Sequence, residues 1–430
     1  MPIPKLEEHL ENVHIKRCAR GLCLITQRWC NDGKFQHSGF PLLLSFQVPY
    51  ARFQAIDSGK QLQHHPDAGI VDAEFVAKPD DLLHQRHGIP LCGTFLQQEL
   101  AIITGACDAM VVDIQCIFQN LANVAKCFHT KLITTHPIAR MEQENVLHIE
   151  FDEHHALEDA ERIVKLAIDN FENRKSEVMI PKQKSPIVAG FGVESIEYHL
   201  GGMFRGSYYT LNDNIINGRI RGIGGVVGCN NARTKHNQGH IEVVKELIKN
   251  DVIVLTTGCN AIACAMEGLL TPETAGVFCG PGLAEVCETV GIPPVLHMGS
   301  CVDNSRILLA AAEVVKAGGL GKDISDLPAA GSAPEWMSEK AISIGHYFVA
   351  SGVYTVFGVT LPVSGAPVFQ KYLFEEFEKM YGGMWDLEVD PVKHAQKMIA
   401  HIDKKRKALG IDKARKRVMM SMEDRMRLEA

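Results

Sequence analysis

Apolar runs of strand length alternate with amphipathic stretches from about residue 88 onward. Candidate strands, rich in valine, isoleucine and leucine, lie at 109–118, 131–137, 146–152, 186–192, 223–229, 251–259, 293–299 and 355–363. Between them, apolar residues recur every three or four positions in 154–171, 240–250 and 301–318, which is the period of a helix. Strands that are apolar on both faces are typical of a parallel sheet covered by helices. The pattern therefore predicts an α/β protein.

The first part of the chain does not share this pattern. Residues 1–85 show weak periodicity and scattered prolines, and we leave them without a predicted fold. The polar segment 172–186 (ENRKSEVMIPKQKSP) predicts a boundary between two α/β units. We therefore expect units at 86–175, which would be incomplete, and at 185–430, which would end in helices. The unassigned segment is interpreted as a candidate non-native leader.

Composition narrows the class of protein. The chain has 430 residues, of which 46% are hydrophobic and 22% charged, as in ordinary globular proteins. A net charge of −7 gives no reason to expect nucleic acid as a partner, and the basic run 403–417 is interpreted as a solvated helix face. The polar start and the short, proline-containing apolar segments predict neither a signal peptide nor a transmembrane segment, so we expect a cytoplasmic protein. In that compartment, 13 cysteines favour metal or redox chemistry over disulfides.

Three cysteines share one local pattern. Cys229 (GGVVGCNN), Cys259 (VLTTGCNA) and Cys301 (HMGSCVDN) each follow an apolar strand, with glycine close before and asparagine close after. Cys116 lies within or near the end of a fourth strand. Ligands of parallel sheets bind beyond the carboxyl ends of the strands, and glycine lets the backbone turn there. A helix start lowers the pKa of a thiol. Four converging thiolates would suit an iron–sulfur or other soft-metal site, whereas burial as small apolar residues is the alternative for each cysteine alone.

Other polar residues carry weaker signals. His236 and His240 are four apart and could share a helical face as ligands, but exposed polar histidines are the preferred interpretation. Lys340, on its own, is interpreted as a surface lysine. The glycine-rich 222–228 lacks the strand–loop–helix context of a dinucleotide site. Five cysteines without strand-end context are expected in the core: Cys107, Cys127, Cys264, Cys279 and Cys287. Cys18, Cys23 and Cys30 match no cluster spacing.

From 86 to about 410, the chain resembles the catalytic subunit of anaerobic nickel–iron carbon monoxide dehydrogenase. The matching stretches are RHGIPLCGTFLQQELAIITGACDAMVVDIQC, LANVAKCFHTKLITT, HIEFDEHHALE, VVGCNN, LTTGCNAIACA, HMGSCVDNSRI and APEWMSEKAISIG. The resemblance implies two Rossmann-like, doubly wound parallel-sheet domains after a helical N-terminal domain. It also implies a Ni-4Fe-4S-type cluster, with the iron–sulfur part held by Cys116, Cys229 and Cys259 and nickel bound by Cys301.

The resemblance further implies an activity and two catalytic residues. The reaction would be oxidation of CO with water to CO2, two protons and two electrons. Lys340 would hydrogen-bond bound CO2 or take part in proton movement, and Ile344 would shape the space above nickel. By family, the partners would be CO or CO2, water, a ferredoxin-like electron carrier and a second copy of the chain in a homodimer.

The sequence departs from the family pattern in two places. The family holds a pendant iron with a histidine in a Gly-His loop and with a cysteine; here Lys78 stands at the cysteine position, and no cysteine lies between Cys30 and Cys92. His64 and His65 lie too near the join to substitute. The helical domain that carries the additional 4Fe-4S clusters is also missing, and their ligands with it. We therefore expect little or no turnover, whether a frameshift, a misjoined fragment or a foreign leader produced residues 1–85. A natural short variant with a separate cluster-bearing subunit is the competing explanation.

Two alternatives to a dehydrogenase remain at this point. One is a hybrid-cluster-type iron–sulfur oxidoreductase, which shares the architecture and acts on nitrogenous substrates. The other is a non-catalytic scaffold that keeps the fold. The stretch HMGSCVDNSRI and the two GCN loops favour the nickel enzymes.

Overall fold

The structure, a computed structural model, describes residues 42–45, 71–75, 91–113, 116–174, 178–180, 185–204, 206–361 and 363–412. Its strands form two six-stranded sheets, each with all neighbouring strands parallel. The first contains β1 (Leu42–Ser45), β2 (Val71–Phe75), β3 (Leu91–Gly93), β4 (Ala109–Val112), β5 (Lys131–Thr134) and β6 (Val146–His148). The second contains β7 (Gly222–Val226), β8 (Val252–Thr256), β9 (Val295–His297), β10 (Ala329–Ala333), β11 (Thr355–Phe357) and β12 (Trp385–Leu387).

Strand order is the same in both sheets. It runs β3-β2-β1-β4-β5-β6 in the first and, read from the other edge, β9-β8-β7-β10-β11-β12 in the second. This is the doubly wound order, in which the chain starts at the centre, moves to one edge and then returns to build the other half. The predicted fold class, two Rossmann-like parallel sheets, is confirmed.

Helices connect the strands. They are α1 (Gln98–Ile103), α2 (Leu121–Cys127), α3 (Ala156–Asn170), α4 (Val193–Leu200), α5 (Tyr209–Ile216), α6 (Gln238–Lys249), α7 (Gly258–Met266), α8 (Thr274–Phe278), α9 (Pro281–Val290), α10 (Asn304–Ala317), α11 (Glu339–Ala350), α12 (Pro367–Lys371), α13 (Phe377–Tyr381) and α14 (Pro391–Ala408). A π-helical turn, Tyr372–Glu376, joins α12 to α13, and short 3-10 turns include Phe95–Gln97 and Cys301–Asp303. None of the helices in the described ranges is long and apolar enough to cross a membrane.

The strands predicted from apolar runs are found, with one exception. The segment 186–192 is not a strand and makes only an isolated bridge from Ala189 to His297. Gly190 has φ +97°, and the next residues lead directly into α4, so the run is too short and too bent to pair further. Five strands were not predicted: β1, β2, β3, β10 and β12.

Part of the unassigned N-terminal segment belongs to the first sheet. The backbones of β1 and β2 pair with each other, and β1 also pairs with β4, in the middle of that sheet. The positions of Cys18, Cys23, Cys30, His64, His65 and Lys78 lie outside the described residues. The domain limits at 85, 175 and 185 stay a prediction.

A buried network fixes the start of β4. Asp108, the residue before this strand, is fully buried and accepts hydrogen bonds from Arg174 Nε at 2.9 Å and Arg174 Nη2 at 2.7 Å. His129 Nε2 lies 2.9 Å from the same carboxylate, and Asn170 donates to the Asp108 carbonyl at 2.8 Å. The end of α3 is thereby tied to the edge from which β4 emerges.

Between the two sheets lies a hydrophobic cluster that we call the seam. Phe95, which precedes α1, belongs to it together with buried residues of the second half of the chain, including Cys229, Cys259, Trp336 and Phe357. Phe118 stacks on Phe95 with ring centroids 5.2 Å apart. The seam therefore joins the two sheets at the ends where the cysteine loops emerge.

The basic run at the end of α14 is not wholly solvated, contrary to the prediction. Arg406 is buried and donates to the carbonyls of Ile215 at 2.7 Å, Arg221 at 3.0 Å and Ile411 at 2.7 Å. The guanidinium thus satisfies three carbonyls at once and anchors the last turn of α14 to the end of α5 and to the residue before β7.

Candidate metal centre

The predicted site residues gather at the carboxyl ends of central strands. In the second sheet β7 and β10 are neighbours at the point where the strand order reverses. Cys229 follows β7, and Lys340 lies in the first turn of α11, the helix after β10. In the first sheet Cys116 follows β4, which pairs with β1 at the corresponding reversal. Crevices at such reversals are where open parallel sheets bind ligands.

The other two cysteines come from the next strands outward. Cys259 lies in the first turn of α7, after β8, and Cys301 begins the 3-10 turn after β9. Cys229, Cys259 and Cys301 are buried, and Cys116 is half-buried. Cys116 has φ +52°, a backbone conformation that few residues other than glycine adopt, and its carbonyl accepts a hydrogen bond from Gln98 Nε2.

The four thiols lie close enough to influence one another's ionisation. Burial raises the pKa of Cys259 well above its usual value, and the charges of Cys301, Cys116 and Cys229 raise it further. Burial likewise raises the pKa of Cys301 to about 12; there Cys116 and Cys229 add to the effect of burial, while Lys340 opposes it. Burial and the neighbouring thiolates thus oppose ionisation of Cys259 and Cys301, so these two thiols ionise only where positive charge is added.

Bound metal ions are the usual source of such charge, because a coordinating thiol is deprotonated outright. Four cysteine sulfurs are also the donor set of soft-metal and iron–sulfur centres. Within the described ranges, no three His, Cys, Asp or Glu side chains are placed to hold one metal ion together. Four thiols on separate loops are a donor set that suits a multinuclear cluster, in which each thiolate can bind a different metal atom.

Gly258 makes room for the sulfur of Cys301. It has φ +60°, and a Cβ added to it would lie 2.4 Å from Cys301 Sγ. Its N–H donates to the carbonyl of Gly299 at 3.0 Å, which holds the two loops side by side. The glycine before Cys259 is therefore required both by its backbone conformation and by the neighbouring cysteine.

The asparagines that follow the cysteines tie the loops together. Asn304 donates to the Cys301 carbonyl at 2.8 Å and accepts from the Thr257 hydroxyl at 2.8 Å, so it links the loops after β9 and β8. Asn260 donates to the Val226 carbonyl at 2.8 Å and thus links the start of α7 to β7. The asparagines that follow Cys259 and Cys301 are thus explained by loop packing.

A buried carboxylate braces the Cys229 loop. Glu335 is fully buried and accepts from Asn230 Nδ2 at 3.0 Å and from the Gly239 N–H at 2.8 Å. His240 donates from Nε2 to the Cys229 carbonyl at 2.8 Å. His240 is fully buried, so its interpretation as an exposed histidine was wrong, whereas His236 is exposed. Burial lowers the pKa of His240, which keeps the ring neutral.

Lys340 is not a surface lysine. It is half-buried, and its Nζ donates to Cys116 Sγ at 3.2 Å. Burial lowers the pKa of Lys340, but the charges of Cys301 and Cys116 act in the opposite direction and raise it overall. The ammonium group therefore stays protonated beside the thiols. Its burial depends on partners from both sheets, which the local sequence does not reveal.

Ile344, one turn after Lys340 on α11, lines a cavity of about 20 Å³ together with Lys340, Cys229 and Cys301. A cavity of this size holds about one water-sized molecule. A second cavity, of about 50 Å³ and almost wholly apolar, shares Gly225, Gly331 and Phe348 with the first. Small, apolar molecules are what this pair of cavities can accommodate.

The remaining cysteines are distributed unevenly. Cys107, Cys264 and Cys287 are buried, as predicted, and Cys279 is half-buried. Cys127 was expected in the core but is exposed, because it lies in the last turn of α2 on the side away from the sheet. Two further residues of the site, Glu335 and Ser338, were not predicted; the Ser338 hydroxyl lies 3.5 Å from Cys229 Sγ. The feature of the sequence that could have indicated them is their position within a few residues of Lys340.

Comparison with known proteins identifies one family to which the chain is similar. The model of the Prismane/CO dehydrogenase family matches residues 76–392, beginning somewhat before the expected limit at 86. Carbon monoxide dehydrogenase 1 of Methanosarcina mazei is 53% identical over 346 residues, which are 80% of this chain and 54% of that protein. The chain thus spans about half the length of the curated relatives it matches.

Solved structures give the same result. A nickel-free crystal structure of carbon monoxide dehydrogenase from Thermococcus sp. AM4 superposes with a TM-score of 0.75 at 50% identity, covering 80% of this chain and 53% of that one. A structure of acetyl-CoA synthase/carbon monoxide dehydrogenase, described as having NiZn[Fe4S4] and NiNi[Fe4S4] clusters in its alpha subunits, has a TM-score of 0.75 at 36% identity, covering 80% of this chain and 52% of that one. The chain belongs to the Prismane/CO dehydrogenase family.

Proposed function

We propose that this chain forms a nickel–iron–sulfur centre of the carbon monoxide dehydrogenase type, which oxidises CO with water to CO2, two protons and two electrons. The observation that carries the proposal is the convergence of four cysteines, from the ends of four parallel strands, around one lysine. Identity of 53% to a protein named carbon monoxide dehydrogenase supports the same reaction. Cys116, Cys229 and Cys259 would hold the iron–sulfur part, and Cys301 would bind nickel.

When bound, such a cluster supplies an electron-rich metal for CO and a second metal that lowers the pKa of water. Lys340 keeps a positive charge on Nζ at the edge of the cavity, where it can donate a hydrogen bond to an oxygen of CO2. Ile344 presents an apolar surface to the same cavity and excludes water from it. The size of the cavity favours a diatomic or triatomic substrate over any larger molecule.

We further propose that turnover is impaired in this chain. The support is a sequence departure: Lys78 stands where the family has a cysteine for the pendant iron, and no cysteine lies between Cys30 and Cys92. Without that ligand, water activation by the second metal is weakened. A homodimer and a ferredoxin-like electron carrier are proposed as partners from the resemblance alone. CO-dependent reduction of a viologen dye at the rate of a full-length dehydrogenase would contradict the impairment.

The test of the centre is the content of nickel, iron and acid-labile sulfide per chain after anaerobic expression with nickel and a maturation system. We expect about one nickel per chain, lost in Cys301→Ala and kept in Cys264→Ala, a buried cysteine of α7 outside the site. Iron and sulfide without nickel would favour the hybrid-cluster type instead. Absence of all three would mean a scaffold and would overturn the proposal.

A further inference from the structure

Ser338 occupies the N-cap position of α11 without capping the helix. Its backbone has φ −89° and ψ 156°, the extended conformation that N-cap residues adopt. Serine is favoured there because its side-chain oxygen accepts a hydrogen bond from an N–H of the first turn, which contributes about 1 kcal/mol. Within the described helix, the side chain of Ser338 makes no such bond. The serine thus does not make the capping hydrogen bond for which it is favoured, and departures of this kind from local preference concentrate at functional sites.

The hydroxyl group lies beside a cysteine sulfur instead. Ser338 Oγ is 3.5 Å from Cys229 Sγ, across more than one hundred residues of sequence. In the absence of metal either atom could be the donor. A metal-bound cysteine is a thiolate and has no proton to give, so in the loaded protein the hydroxyl is the donor and the sulfur the acceptor.

The same helical turn serves a second sulfur. Lys340, two residues further on, donates from Nζ to Cys116 Sγ at 3.2 Å. Cys116 belongs to the loop after β4 and Cys229 to the loop after β7, so two donors from one turn reach sulfurs supplied by different sheets. The turn is also the positive end of a 12-residue helix. All three effects stabilise negative charge on the thiolates.

We propose that Ser338 is a positioning residue of the metal centre, whose hydroxyl donates to the Cys229 thiolate and thereby makes the reduction potential of the cluster less negative. The inference rests on the proposed four-thiolate centre. A hydrogen bond to a ligand sulfur draws electron density from it and so favours the reduced, more negative state of the cluster. Ser338 touches neither substrate nor reacting atoms, and its effect passes through the sulfur.

The experiment compares three variants of the full chain, loaded anaerobically with iron, sulfide and nickel. Ser338→Ala removes the hydroxyl, and Ser338→Thr keeps it. The third variant, Asp390→Ala, removes a cap that is made, because Asp390 accepts from the Lys393 N–H at 2.9 Å at the start of α14. The midpoint potential is measured by a redox titration followed by EPR, and thermal unfolding is measured on the metal-free chains.

We expect Ser338→Ala to bind wild-type amounts of metal, with a midpoint potential more negative than that of the wild type. Ser338→Thr should restore the potential. Ser338→Ala should unfold at the wild-type temperature, whereas Asp390→Ala should unfold earlier and keep the potential. A merely structural role would give the opposite result for Ser338→Ala: a lower unfolding temperature with an unchanged potential.

Two outcomes overturn the inference in distinguishable ways. If the wild-type chain binds metal and Ser338→Ala has the same midpoint potential, Ser338 has no such role, while the proposed centre stands. A wild-type chain that takes up no iron, sulfide or nickel would remove the proposed centre and this inference with it.

Discussion

Replacing Gly258 with alanine should displace the sulfur of Cys301. The new Cβ would lie 2.4 Å from Cys301 Sγ, whereas ordinary contact begins at 3.4 Å, so the sulfur or the loop must move by about 1 Å. A metal site tolerates roughly 0.5 Å of misplacement in its ligands. We therefore expect Gly258→Ala to lose the metal bound by Cys301, which we propose is nickel, while the other three thiolates keep iron and sulfide.

Gly258→Ala also strains the backbone, and a matched control variant with the same strain separates this effect from the displacement of the sulfur. Alanine in the left-handed conformation costs about 1–2 kcal/mol, and Gly258 has φ +60°. Gly268, just beyond the other end of α7, has φ +74° and nothing within 4 Å of its added Cβ. Gly268→Ala should therefore lower the unfolding temperature by a similar amount and keep nickel. Nickel and iron per chain are measured by elemental analysis for both variants. Equal nickel-to-iron ratios in the two would refute the reasoning.

Three further predictions concern other parts of the molecule. Arg174→Met should lower the free energy of unfolding by about 3–5 kcal/mol, because the fully buried carboxylate of Asp108 loses its guanidinium partner and keeps only the imidazole of His129; an unchanged urea midpoint contradicts this. Burial lowers the pKa of His394 to about 4, below its usual 6.5, so the unfolded chain binds a proton at a higher pH than the folded chain does. The free energy of unfolding should therefore be unaffected by His394 above pH 6.5 and should fall by about 3 kcal/mol as the pH is lowered towards 4. The urea midpoint should change less with pH across that range in His394→Gln than in the wild type. Equal slopes of midpoint against pH in the two proteins would count against a role of His394. Asn304→Ala should weaken nickel binding by about 10–100-fold, since the carbonyl of Cys301 loses its donor; a nickel titration that gives the wild-type affinity would exclude this role.

The strands that the sequence predicts are those buried by their own large side chains. Strand β8 (VIVLT) is buried at every position and was predicted. Strand β10 (AAGSA) is central and buried as well, but it is built from small residues and was missed. The reason is close approach of its neighbours: a Cβ at Gly331 would lie 3.0 Å from Thr355 Oγ1 of β11. A prediction based on runs of large apolar side chains misses a strand whose neighbours leave room only for small ones.

The candidate site divides in the same way. The thiols of Cys229, Cys259 and Cys301 were predicted to meet, because the geometry of parallel sheets brings strand ends together whatever the rest of the fold does. Polar side chains whose burial depends on distant partners were misjudged. Lys340 is half-buried and contacts Cys116, which is 224 residues away in sequence, whereas His240 is buried and bonds to the Cys229 carbonyl, 11 residues away on a different element. For Lys340, the family resemblance supplied what the local sequence could not.

The origin of the four cysteines has a consequence for how the molecule comes apart. Cys116 comes from the first sheet, and Cys229, Cys259 and Cys301 come from the second, with the seam around Phe95 directly beside them. Metal bound by all four cysteines would stabilise the contact between the two sheets, because its binding free energy is available only while the sheets are packed together. A chelator should therefore separate the two sheets before it unfolds either of them. Neither half of the chain, expressed alone, would contain all four cysteines of the centre.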